Sequence, residues 1–237
     1  MNYLPIIALV VLPVAQTYPE VATPPLYTIV GNYSEPATEL TPNAVASKIQ
    51  KEFNITMQGF EYEHLQWAYE KFADVKKRSK KFFTLTSGAV IQMRNHEQGY
   101  SYQASCRNHK PVSDQVGIYL HPHADKEKFQ LTLIHELGHL IQICNDDIQA
   151  QYTNHIKALE QEGGITAYAR NPGCASGTNN ERSLRNEDYA EMITYYLSPN
   201  AKERDIVNCP PDNTIPYQNL ASKYPQHLEV VKKVLDD

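Results

Sequence analysis

The pentapeptide His135-Glu136-Leu137-Gly138-His139 constrains this chain more than any other feature, because it requires a helix that lies in the core and carries polar chemistry. At about 100° per residue, positions i and i+4 lie about 40° apart on one helix face, so the two imidazoles project together. The surrounding stretch supplies the helix. From Lys126 to Cys144 there is no proline, and Phe129, Leu133, Leu137, Leu140, Ile141 and Cys144 recur at helical spacing, the stripe of a helix packed into a core. The two histidines share its apolar side. Gly138 costs about 1 kcal/mol relative to alanine in a helix interior, a loss that makes sense where another backbone must come close.

Two imidazoles so placed can reach a single tetrahedral ion, with zinc the expected metal, and Glu136 beside them can take a proton from a water whose pKa zinc lowers to about 7. With nine histidines in 237 residues, chance places this pattern in such a composition about 0.02 times. A third ligand is needed. Continuation as His-x-x-Gly-x-x-His would require glycine at 142 and histidine at 145, which hold Gln142 and Asn145, so a metzincin is excluded. His155 stands amid charged and polar neighbours on an ordinary amphipathic helix and is not the expected ligand. Better placed is a second helix, read as beginning at Asn186 with sequence NEDYAEMITYYL, whose Glu187 and Glu191 lie one turn apart on one face. One can bind the ion while the other holds a ligating imidazole, and spacing leaves the two interchangeable. Acids in a first helical turn also complement the helix dipole, which is the alternative reading.

HELGH followed by an E-x-x-x-E helix resembles the Glu-zincins, and NEDYAEMITYYL is similar to the acidic helix of the anthrax lethal factor catalytic domain and of the secreted Pro-Pro endopeptidases. The resemblance covers about residues 26–225, with the two helices as its specific part. It implies a zincin-type metallopeptidase domain, with Glu187 as third zinc ligand and Glu191 behind a ligating histidine. Placing Glu187 at the start of its helix, after Asn186 as N-cap, favours the same assignment. Those families also carry a tyrosine before the acidic helix that polarises the substrate carbonyl. Tyr168 matches it, although the stretch NPGCASGTNNERSLR makes the interval longer here, and a core or surface role is the alternative.

Residues 4–15, LPIIALVVLPVA, form an apolar run too short to span a bilayer and fit the core of a secretory signal over residues 1–16, with a buried N-terminal strand as the alternative. Four cysteines, Cys106, Cys144, Cys174 and Cys209, contain no C-x-x-C pair and suit two disulfides in a secreted protein, with Cys106–Cys174 and Cys144–Cys209 the preferred pairing of three possible ones. Asn32 and Asn54 head glycosylation sequons. A net charge of −5, evenly spread, points to neither nucleic acid nor membrane as partner. The basic run Lys76-Lys77-Arg78-Ser79-Lys80-Lys81 follows a helical stretch and reads as its solvated, dipole-complementing end. A monomer acting on a protein or peptide is expected.

Length suits one compact domain, with residues 17–42 as an N-terminal arm, carrying a strand at Leu26–Val30, and 43–237 as the catalytic domain. The fold expected is α+β, mostly helical with a small mixed sheet. Helices are predicted near 43–53, 60–78, 126–145, 147–163, 186–198 and 217–235, and strands near 82–86, 89–93 and 116–120. Val116–Leu120 is predicted as the edge strand along which a substrate lies, and the long loop from Arg94 to Asp114 as a rim of the cleft. Together these features read as a secreted zinc endopeptidase. The alternative is a secreted toxin-like or binding protein with a structural zinc site, which usually needs four protein ligands.

Overall fold

The computed structural model describes residues 41–93, 106–107, 110–111, 117–118, 125–171, 181–203, 211 and 214–236, with backbone alone at the short strands 106–118, at 147 and at 181–183. The described residues belong to one compact unit, Leu40–Asp237. The expected signal segment, the strand expected at Leu26–Val30, Asn32 and most of the 94–114 segment lie outside the described residues.

The fold is mostly helical α+β. Helix α1 (Pro42–Phe53) begins where Thr41 Oγ1 accepts the Ala44 N–H with Pro42 at the first position, and it ends at Asn54, left-handed at φ 54°. Strand β1 (Thr56–Gln58) leads to α2 (Tyr62–Arg78), whose end carries the basic run; Lys77 and Arg78 both stand 3.9 Å from Asp74. A strand was expected at 82–86, but the chain instead forms α3 (Lys81–Leu85). Ser79 Oγ accepts the Phe82 N–H at 3.1 Å, and Phe82 and Phe83 join an aromatic group with Phe53 and Phe72, so local capping and packing override the β preference of the residues.

Strand β2 (Val90–Met93) pairs in parallel with β1 and with β5 (Gly117–Ile118), in the order β1-β2-β5. The expected mixed sheet is corrected to an all-parallel one among the described residues, because the β1–β2 connection runs through α2 and α3 and returns in the same direction. Antiparallel pairing belongs to a separate ribbon, β3 (Cys106–Arg107) with β4 (Lys110–Pro111). Among the described strands β5 is terminal in the order.

The motif helix is α4 (Lys126–Cys144), capped by Asp125, whose side chain accepts the Lys128 N–H. Phe129, Leu133, Ile134, Leu137, Leu140 and Ile141 are all fully buried. At about 1.5–3 kcal/mol each, their burial far exceeds the cost of one helical glycine, so this helix is held by the core. After a 3₁₀ turn (Asp146–Ile148) come α5 (Gln149–Glu162), α6 (Ala167–Arg170) and α7 (Glu181–Tyr196). The single helix expected at 217–235 is two, α8 (Pro216–Ser222) and α9 (Pro225–Leu235). Pro225 has no N–H to donate back into α8 and sits at the first position of α9, where none is needed. No helix among the described residues is long and apolar enough to cross a membrane.

Candidate metal centre

α4 and α7 pack side by side and antiparallel: His135 meets Glu191, Gly138 meets Ala190, and Gln142 donates to Asn186 at 2.7 Å. Close approach at Gly138 lets the carboxylates of α7 reach the histidines of α4. Glu187 Oε2 lies 3.0 Å from His135 Nε2 and 3.3 Å from His139 Nε2, and the three donor atoms all lie within 4.8 Å of one another. Tetrahedral zinc with bonds of about 2.1 Å has ligand atoms about 3.4 Å apart, close to these separations. Behind His135, Glu191 Oε1 stands 2.8 Å from Nδ1, which leaves Nε2 facing the cluster. The side chains of His139 and Glu187 keep 13% and 16% of their exposure, so solvent reaches the open side, whereas Glu191 is buried. Among the described residues, these three donors could hold a zinc ion.

Electrostatics within the cluster favour an ionised ligand. Burial works to raise the Glu187 pKa, but the charge of His139 and hydrogen bonds from both histidines outweigh it and hold the carboxyl well below the usual carboxylate range. Glu136, one residue on from His135, is half-buried.

Tyr168 reaches the same place. Its ring centroid lies 6.1 Å from that of His135, despite the long interval before α7. A short helix holds it: Thr166 caps α6 by accepting the Ala169 N–H at 3.1 Å, the Ala167 N–H donates to Glu203, and Arg170 Nη1 donates to the Gly164 carbonyl at 3.1 Å. Gly164 allows this tight turn, since a Cβ there would come within 2.9 Å of the Ala169 backbone.

Two sequence expectations need correction here. Asn186 does not cap a helix start, because α7 already begins at Glu181; the intervening ERSLR holds no helix breaker, so the helix extends back. Asn186 Oδ1 instead accepts from Gln142 Nε2 and, at 3.0 Å, from Tyr152. His155 is not on a solvated face but fully buried, apart from the motif, in a second cluster with Asp188 and His227. Sequence reasoning passed over Asp188, His227 and Glu162. The available signal was a histidine in line with the apolar stripe of α9, Val230, Val231 and Val234.

Other features sit elsewhere. A cavity of about 410 Å³ lies between α2, the start of α4 and the turn after α7, lined by Lys71, Asp74, Gln130 and Ser198 and by none of the motif residues. Buried Lys71 donates to Ser198 Oγ there at 2.6 Å, and burial lowers its pKa. Cys144 is buried and is not a free thiol, while the side chains of Cys106, Cys174 and Cys209 lie outside the described residues. Comparison with protein-family models, with curated proteins and with solved structures finds no match.

Proposed function

We propose that this chain is a secreted zinc-dependent endopeptidase of the Glu-zincin type. The observation that carries the reading is the convergence of His135 Nε2, His139 Nε2 and Glu187 Oε2, with Glu136 next in sequence to the first of them. When bound, zinc supplies a Lewis acid that makes water a nucleophile near neutral pH. His135, His139 and Glu187 hold the ion. Glu136 takes the proton of the attacking water and passes it to the leaving amine as the peptide C–N bond breaks. Glu191 fixes the tautomer and orientation of His135 through Nδ1. Tyr168, from the turn beside His135, donates its hydroxyl toward the oxyanion that develops on the carbonyl oxygen.

A binding protein with a structural zinc site is the weaker reading. Structural sites close the coordination sphere with four protein ligands, whereas among the described residues three donors converge here on a partly exposed face. Metal analysis together with an unbiased peptide library tests the proposal on wild type and on Glu136→Gln. Expected are about one zinc per chain in both, and cleavage by wild type that falls by several orders of magnitude in the variant. Equal cleavage by the two would remove Glu136 from the mechanism, and zinc without cleavage would favour the structural site. Titration of thiols in native protein tests the compartment: four free thiols would end the case for disulfides and secretion.

A further inference from the structure

We propose that Asp188 is a positioning residue for the metal centre: one buried carboxylate that sets both the rotation of the helix bearing Glu187 and Glu191 and the place of the turn bearing Tyr168. This inference rests on the zinc-peptidase reading and adds to it a residue outside the reacting groups. Asp188 Oδ2 accepts from His155 Nε2 on α5 at 2.8 Å and from His227 Nε2 on α9 at 2.9 Å, while Oδ1 accepts the Ile165 N–H at 2.8 Å. Asp188, His155 and His227 are all fully buried.

Three donors from three separate segments thus converge on one carboxylate. Removing any of them leaves a buried charge short of a partner, a heavier cost than the loss of an exposed hydrogen bond, so the arrangement resists displacement. Both oxygens of the Asp188 carboxylate are engaged by these donors, Oδ2 by the two imidazoles and Oδ1 by the backbone. His227 is fixed in turn: its Nδ1 lies 2.7 Å from Glu162 Oε2, and Glu162 also accepts the N–H groups of Gln226 and His227 at the start of α9.

Neighbouring helical residues point about 100° apart, so a clamp on Asp188 from behind α7 fixes where Glu187 points in front. Ile165 stands three residues before Tyr168 and adjoins the Thr166 cap, so its bond to Asp188 ties the Tyr168 turn to the same helix. The second cluster is not itself read as a metal site. Asp188, His155 and His227 are all fully buried, with no side open to water or substrate, whereas His139 and Glu187 keep part of their exposure.

Zinc and cobalt binding by wild type, Asp188→Asn, His155→Gln and His227→Gln tests the proposal. Wild type should bind one zinc, and Asp188→Asn should raise the zinc dissociation constant about 10–100-fold, as loss of a supporting group does. The visible bands of its cobalt form should shift, because the Glu187 carboxylate meets the ion at a changed angle. Both histidine variants should move the same way by less, and they carry the test should Asp188→Asn not fold. In hydrolysis of a random peptide library, the losses from Asp188→Asn and Tyr168→Phe should overlap, leaving the double variant within about threefold of the worse single one. Wild-type zinc affinity and cobalt spectra throughout, with only a lower melting temperature, would make the network structural and overturn the proposal. Two zinc ions in wild type, one lost in His227→Gln, would overturn it by making the cluster a metal site. Wild type without zinc would remove the peptidase reading and this inference together, whereas intact zinc binding with unaffected variants removes the inference alone.

Discussion

Gly138 of the motif helix lies against Ala190 of the acidic helix so closely that a Cβ on the glycine would come 3.1 Å from the Ala190 Cα and 3.3 Å from its carbonyl oxygen. That contact sets the separation of α4 and α7 midway between His135–Glu191 at one end and Gln142–Asn186 at the other. Glu187 and Glu191 of α7 reach the histidines because the backbones meet here.

Gly138→Ala weighs two opposed effects. Helix propensity gains about 1 kcal/mol, while overpacking against backbone, which yields less than a side chain, costs about 1–3 kcal/mol. The expected net loss is about 1 kcal/mol, or about 2–4 °C in melting temperature for a domain of this size, together with weaker zinc binding. Thermal denaturation and metal titration measure both, and a variant as stable and as zinc-avid as wild type would show that the contact imposes nothing.

Glu187 and Glu191 should separate on metal retention. Glu187 faces both Nε2 atoms, whereas Glu191 contacts His135 from behind at Nδ1. Glu187→Ala is expected to leave dialysis essentially metal-free. Glu191→Ala should keep most of its zinc, with affinity or activity lower by about 10–100-fold. Elemental analysis showing the reverse order would exchange the two roles.

Tyr168→Phe isolates the hydroxyl while keeping the ring that sits 6.1 Å from His135. Loss of one donor to an oxyanion typically costs about 10²–10³ in kcat. Zinc content and melting temperature should not change. A rate equal to wild type on a cleaved library peptide would return Tyr168 to a packing role.

His227 gives the network a pH signature. Burial opposes its charge, but hydrogen bonds and charge from Asp188 and Glu162 prevail and raise its pKa, with His155 facing the same Asp188 oxygen. A raised folded-state pKa means stability fully present below the unfolded value of about 6.5 and lost as pH rises through the folded value. The stability advantage of wild type over His227→Gln should therefore be larger at about pH 6 than at about pH 9, as followed by urea denaturation. An advantage that grows with pH would mean that His227 is neutral in the fold.

Much of the helical framework was legible because its signals are local. The apolar stripe and caps placed α1, α2 and α4 within about two residues of their observed ends, the usual margin for helix boundaries. Gly138 announced a close backbone approach before its partner was known. Where local signals competed, the reading failed: aromatic and β-branched residues at 82–86 suggested a strand, and tertiary packing of Phe82 and Phe83 with Ser79 capping made a helix.

By itself the sequence determined that His135, Glu136 and His139 share one turn of a buried helix, and that two glutamates a turn apart stand on another, because helical periodicity is fixed by the backbone. Spacing could not say which glutamate faces the imidazole Nε2 atoms, since both lie on the same face; the crossing of α4 and α7 decides it. Tertiary structure alone also joined Asp188 to His155 and His227, which lie 33 and 39 residues away in the chain. Such contacts leave no periodic trace, because they depend on how several helices pack around one carboxylate rather than on the geometry of any one of them.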